Sequence, residues 1–339
     1  FLDWTFNCRH DHAMAIWTYI HEHDNGSTNF HFEVSADLLN EKEIALINRM
    51  RPGLIQLEIG VQSANEITIR EINRTMKIDV LSTIVDKIKK GNNVHQHLDL
   101  IAGLPYEGYE SFGKSFDRVY KMNPEQLQLG FLKVLKGSVM HDRAQEYGIV
   151  YQDRAPYEVL STKWLTYAEV IRLKQIEEMV EVYYNSGQFC CTMAALEQEF
   201  ASPFCMYECL AAYYDEKNAF AVSHSRIGRY EILYDFIVKT CKERSEQYME
   251  MLTLDMYLRD NVKKRPEFLR ESGVSSDEAA AFYKKEEKER TYLKAYEGYD
   301  RRQMRKMTHL ERIDGKTVLF DYKNRDPLTG NAAIYYLSE

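Results

Sequence analysis

Five short segments in the first half of the chain alternate apolar and polar residues with period two. In residues 55–61, Ile55, Leu57, Ile59 and Val61 fall on one side and Gln56, Glu58 and Gly60 on the other, with Gln62 extending the polar row. The same split occurs in residues 30–35 (Phe30, Phe32, Val34 against His31, Glu33, Ser35). It recurs in 94–103 (Val94, Gln96, Leu98, Leu100 against His95, His97, Asp99, Ile101) and in 126–132 (Leu127, Leu129, Phe131 against Gln126, Gln128, Gly130). A fifth segment opens the chain, with Leu2, Trp4 and Phe6 against Asp3, Thr5 and Asn7. Successive side chains of a strand point to opposite faces, so each segment predicts a strand with one greasy and one polar face. Helical patterns separate the strands, which implies a parallel sheet whose greasy face is covered by helices. The polar faces then share one space. A fully packed barrel interior would carry branched apolar side chains there; this pattern predicts a barrel open enough to hold a polar ligand.

Between the strands, residues 9–23 place Ala13, Ile16, Trp17 and Ile20 on one helical face, and Asn25-Gly26 ends that helix. Asn40 with Glu43 reads as a capping box opening a helix over about 41–50, stopped by Pro52-Gly53. Further helices are expected around 66–73, from Asp79 to Gly91, and from Ser111 to just before Pro124. From about Gly148 the rhythm changes to long helical patterns (170–184, 206–214, 229–248) and a charged surface helix over 276–293 capped by Ser276 or Asp277. Residues 317–322 and 332–337 read as a terminal hairpin. The expected organisation is an α/β barrel domain over 1–148, a mainly helical domain over 149–310, and the hairpin over 311–339.

The chain of 339 residues is 45% hydrophobic, enough for a large core. It has no run of 18 apolar residues, which argues against a membrane span. With 44 Lys and Arg against 52 Asp and Glu the formal charge is −8, which argues against non-specific nucleic-acid binding. Six cysteines are too few for a secreted disulfide scaffold, so the expected home is the reducing cytoplasm. The missing initiator Met and the start inside a strand-like run mark Phe1 as a cut point.

Ligands of parallel α/β sheets sit beyond the carboxyl ends of the strands. Those ends carry Asp3, Glu33, Glu58 with Gln62 and Ser63, and Asp99 to Gly103. Three convergent carboxylates need a cation among them, and a ligand ammonium or Arg74 supplies one. Gly60 and Gly103 allow close approach of a ligand. His95 and His97 share a strand face as metal ligands would, but their place early in the strand favours polar core histidines. Cys205 and Cys209 lie four apart on one helix face, as packed thiols do; an auxiliary cluster with Cys190 and Cys191 is the lesser reading.

The stretch Leu57-Glu-Ile-Gly-Val-Gln-Ser63, Arg74 twelve residues beyond Gln62, and Asp99-Leu-Ile-Ala-Gly-Leu-Pro105 resemble the middle of the radical S-adenosylmethionine (radical SAM) enzymes. The similarity is closest to the branch holding oxygen-independent coproporphyrinogen oxidases and the cobalamin-binding radical SAM proteins, and it covers about residues 1–140. It implies a partial TIM-like (β/α)6 barrel missing its first βα unit, with the five strands matching units two to six. It also implies S-adenosylmethionine (AdoMet) as a cofactor, a 4Fe–4S cluster whose ligands are not in this chain, and cobalamin in some relatives. Carried over by residue, Glu33 resembles the acid that binds the methionine ammonium and Arg74 the base that pairs with its carboxylate. Gln62 and Asp99 resemble the polar groups at the ribose, and Ile101 the apolar contact to adenine. Glu58 and Ser63 complete the expected set.

The departure from that family is the absence of Cys-x3-Cys-x2-Cys. The resemblance therefore implies a fragment: the intact protein would cleave AdoMet reductively to a 5′-deoxyadenosyl radical, with a flavodoxin- or ferredoxin-like electron donor, while this chain alone would be inactive. Two other readings stand beside it. One is a lyase or hydrolase on a TIM-like barrel using Glu33, Glu58 and Asp99 as acid and base; the other is a degenerate AdoMet- or protein-binding module.

Overall fold

The computed structural model describes residues 5–262 and 264–337. Four parallel strands form one sheet in the order β1 (Phe30–Val34), β2 (Ile55–Gln62), β3 (His95–Ala102) and β4 (Gln126–Phe131). Each strand lies where the alternation places it, and helices occupy the crossovers. Phe32, Val34, Leu57, Ile59, Val61, Leu98, Leu100, Leu127 and Leu129 are all buried on the greasy face. Burying each such side chain stabilises the fold by about 1.5–3 kcal/mol, and this face is the main core of the sheet. Asn40 accepts from the backbone N–H groups of Lys42 and Glu43 and the Glu43 side chain answers, so the capping box forms and helix Glu41–Ile47 starts where expected.

Most of the fifth expected strand, residues 1–4 with Asp3 included, lies outside the described residues, and Phe6–Cys8 form a 3-10 turn. Buried Phe6 packs on Trp17 and Phe32, with ring centroids 5.3 and 4.5 Å away, so its apolar character serves a corner of the core. Two helices begin earlier than their expected caps: Ile78–Lys89 starts after Lys77, and Tyr109–Tyr120 after Gly108. The charged surface helix, Ser276–Glu289, is capped by Ser275 through a capping box with Glu278.

Residues up to Asn185, with Phe200–Ala212, form one compact unit; Ser186–Glu199 and the chain from Tyr213 onward form a second. The first unit continues past Gly148 into a small antiparallel pair, β5 (Val150–Tyr151) and β6 (Val159–Ser161), where Ile149 just before β5 and Val159 of β6 join a cluster with Leu104, Leu132, Val134 and Tyr147. Helix Tyr167–Val180 also lies against β4 within this unit.

In the second unit the helical run expected over 229–248 is two helices, Arg226–Thr240 and Ser245–Arg259, parted at Cys241–Arg244. The terminal hairpin is a three-stranded antiparallel sheet of β7 (Thr308–Ile313), β8 (Lys316–Arg325) and β9 (Ala332–Tyr336). Among the described residues no helix is long and apolar enough to cross a membrane.

Candidate functional site

Parallel register aligns the polar rows of neighbouring strands. Glu33 stands beside Glu58, Glu58 beside His97, Gly60 beside Asp99, Asp99 beside Gln128, and Ile101 beside Gly130. One face of the sheet therefore carries acids, amides and histidines, all but His97 at least partly accessible. The open polar face predicted by the alternation is present.

At the carboxyl end of β2 the register slips between Gly60 and Gln62. Such a bulge re-aims a side chain. Gln62 takes a left-handed φ of 69°, and the Ser63 N–H donates to the Val61 carbonyl at 2.9 Å across it. That is a γ-turn, a rare and strained form for a residue with a side chain. From it the Gln62 amide Nε2 donates to Asp99 Oδ2 at 2.8 Å. Arg74, on the segment after helix Glu66–Glu71, donates from Nη1 to the Gly60 carbonyl at 2.7 Å. A Cβ on Gly60 would stand 2.9 Å from Gln62 Nε2 and 3.4 Å from Arg74 Nη1, so the glycine makes the space in which both meet.

Burial, and next the Glu58 charge, push the Asp99 carboxyl up to about 7; Arg74 pulls it back in part, and Glu33 adds to the push. Gln62, Arg74 and Asp99 are thus brought together. On the same face Glu58 lies one strand and Glu33 two strands from Asp99, and the Glu58 carboxylate sits 2.9 Å from His31 Nε2.

Ser63 is not on this face. Its side chain is fully buried, in step with the odd-numbered row of Ile59 and Val61, and its Oγ donates to Glu107 Oε1 at 2.8 Å. Ile101 keeps its place on the polar face but also packs against the cluster around Leu104 and Val159. Gly103, with φ 90°, leaves room for Val159, whose Cγ1 lies 2.8 Å from where a Cβ would be; protein, not a ligand, makes the close approach there. His95 and His97 are polar core residues: burial lowers both pKa values, and His97 bonds to the Gln128 side chain. Glu107 was missed by the sequence reading, since a glutamate in a turn beside Gly108 looks solvated, yet it is 1% exposed.

The donor set suits a zwitterionic nucleoside: carboxylates for an ammonium, a guanidinium for a carboxylate, and an amide–carboxylate pair for a diol. It does not suit a 4Fe–4S cluster. Among the described residues no group of three His, Cys, Asp or Glu side chains is arranged to hold a metal ion. Cys205 and Cys209 share a face of helix Pro203–Glu216 as a thiol pair, and burial pushes the Cys209 thiol up to about 11. A raised Cys209 thiol disfavours the thiolate that a metal needs.

The chain is similar to the oxygen-independent coproporphyrinogen III oxidase of Salmonella typhimurium, 29% identical over 107 residues, which are 30% of this chain and 23% of that protein. It is also similar to the oxygen-independent coproporphyrinogen-III oxidase-like protein HemZ of Bacillus subtilis, 28% identical over 119 residues, 33% of this chain and 22% of that one. The chain thus spans about a quarter of the length of the curated relatives it matches. Among solved structures, coproporphyrinogen III oxidase (HemN) from Escherichia coli, titled a radical SAM enzyme, aligns with a TM-score of 0.32 and 21% identity over 36% of this chain and 28% of that one. The curated relatives support the radical SAM superfamily assignment to which the motifs of the first half point. The profile of the family described as "Protein of unknown function (DUF4080)" matches residues 145–327, more than half of the chain, and the chain belongs to that family.

Proposed function

We propose that the polar face of β1–β4 binds AdoMet, and that the chain is the AdoMet-binding part of a radical SAM enzyme. The observation that carries this reading is the meeting of Gln62, Arg74 and Asp99 around the bare backbone of Gly60. In this arrangement Glu33 takes the methionine ammonium, Arg74 its carboxylate, and Gln62 with Asp99 the ribose hydroxyls, while Ile101 lies under the base. Glu58 faces the ligand from the neighbouring position and adds its charge to the burial that raises the Asp99 carboxyl. AdoMet, when reduced in a whole enzyme of this kind, supplies a 5′-deoxyadenosyl radical. What these residues contribute is binding, orientation and charge balance. The elevated Asp99 carboxyl also favours a second reading, acid–base catalysis by Glu33, Glu58 and Asp99.

The test is titration calorimetry of AdoMet into the purified chain at pH 8. Saturable heat is expected, and Arg74→Ala should weaken binding by about 10- to 100-fold, the loss of a charged hydrogen-bonded pair. No heat from the wild type would remove the AdoMet reading and leave the acid–base one, and equal affinity in Arg74→Ala would remove Arg74 from the binding site.

A further inference from the structure

Behind the polar face, a buried hydrogen-bond relay grips the loop that leaves β2. The Asn65 N–H donates to Ser63 Oγ at 2.9 Å, and Ser63 Oγ donates to Glu107 Oε1 at 2.8 Å. From the other side, the Ala64 N–H donates to Ser115 Oγ at 3.1 Å, and Ser115 Oγ donates to the same Glu107 oxygen at 2.7 Å. Each hydroxyl accepts from one backbone N–H and passes its own proton to the carboxylate, so both hydroxyl rotors are fixed in direction. Ser63 is 0%, Glu107 1% and Ser115 2% exposed. The relay joins three elements: the loop after β2, the turn after β3 in which Glu107 sits, and helix Tyr109–Tyr120 carrying Ser115.

This arrangement is costly on its own terms. Glu107 Oε2 is buried without a hydrogen-bond partner among the described residues, and an orphaned buried acceptor opposes folding. Burial raises the Glu107 pKa as well. The next residue back from the gripped loop is Gln62, held at φ 69° in its γ-turn with its amide on Asp99. A conformation that a lone chain avoids persists only where its surroundings over-determine it. The only groups fixing the two residues after the turn through their backbone N–H are the hydroxyls that end on Glu107, among the described hydrogen bonds.

We infer that Glu107 is a positioning residue: through Ser63 and Ser115 it holds the γ-turn that aims Gln62 at Asp99, and so fixes the AdoMet-binding geometry from outside the site. Resting on the AdoMet reading above, it assigns a role to an acid that touches no ligand. Asn65 Nδ2 bonds to the Tyr106 carbonyl at 3.1 Å and Thr68 Oγ1 to the Pro105 carbonyl at 2.9 Å, so the two loops stay adjacent without the carboxylate. What the carboxylate adds is the exact aim of the strand end.

The experiment compares AdoMet affinity by calorimetry from pH 6 to 9 for the wild-type chain, Glu107→Ala, Glu107→Gln and Ser115→Ala. The carbonyl oxygen of glutamine still accepts from both hydroxyls, so Glu107→Gln should bind within about threefold of wild type, whereas Glu107→Ala should bind about tenfold more weakly or worse. Ser115→Ala, which frees only Ala64, should fall between. A general loosening would not shift the pH profile. Release of Gln62 from Asp99 should, moving the inflection of affinity upward in Glu107→Ala, because the carboxylate loses a donor. Unchanged affinity and inflection in Glu107→Ala, or a glutamine variant as weak as the alanine one, would overturn the assignment. If Glu107→Ala does not fold, wild-type affinity in Ser115→Ala overturns it. Absence of wild-type heat overturns the AdoMet reading and this inference together.

Discussion

Replacing Asp99 by asparagine separates the charge of the candidate site from its hydrogen bonds. In the wild type, burial and Glu58 raise this carboxyl from 3.8 to about 7. Between those values the folded chain holds a proton that the unfolded chain has lost, so stability falls as pH rises from about 4 to about 7 and is level above. A difference of about 3 units at 1.36 kcal/mol each sets a ceiling of about 4 kcal/mol on the destabilisation at pH 8. Asparagine keeps an oxygen to accept from Gln62, which now donates at 2.8 Å, and carries no charge to desolvate. Asp99→Asn should therefore gain about 2–4 kcal/mol over the wild type at pH 8, with the gain shrinking steadily toward pH 4. Urea unfolding followed by circular dichroism at pH 4.5, 6, 7 and 8 measures this. The same variant should bind AdoMet about tenfold more weakly, because a neutral amide replaces a charged acceptor. A stability difference that is flat with pH would refute the reasoning, since it would mean that the carboxyl is not forced up in the fold.

Gly60→Ala should leave the melting temperature almost unchanged, because the new Cβ meets only the far ends of Gln62 and Arg74, 2.9 and 3.4 Å away. It should still displace Gln62 from Asp99 and weaken AdoMet binding by about tenfold in the same calorimetry. In the second unit, Asp255 is buried and accepts from the backbone N–H groups of Cys191 and Thr192 at 2.9 and 2.8 Å, with burial raising its carboxyl to about 6. Asp255→Ala strands both donors and should cost about 2–3 kcal/mol, with faster hydrogen exchange at those two amides.

The parallel sheet was legible because period two is a strong signal wherever one face is buried. Gln62 and Asp99 were legible because each sits at or near a strand end, and Arg74 because three carboxylates need a cation and its spacing from Gln62 matches the radical SAM pattern. What escaped has specific causes. β7 carries Glu311 inward, 1% exposed and paired with Arg265 at 2.6 Å, and an acid at a core position disguises the alternation. The break at Cys241–Arg244 has no Gly or Pro to announce it, so two helices read as one. Ser63 was placed in the site by its position at the strand's carboxyl end, but its side chain is buried and bonded to Glu107. That partnership spans 44 residues of sequence, beyond the reach of any local pattern.

The small strand pair after β4 has a practical bearing on how far the protein can be trimmed. Val159 fills the notch left by Gly103, and with Ile149 it closes the greasy patch on Leu104, Leu132 and Val134. A proteolytic nick or gene truncation anywhere between Gly148 and Ser161 would open that patch to water at the very turn that follows Asp99. Any shorter working piece has to run past Ser161, and the first half-chain on its own should be sticky before it is inactive.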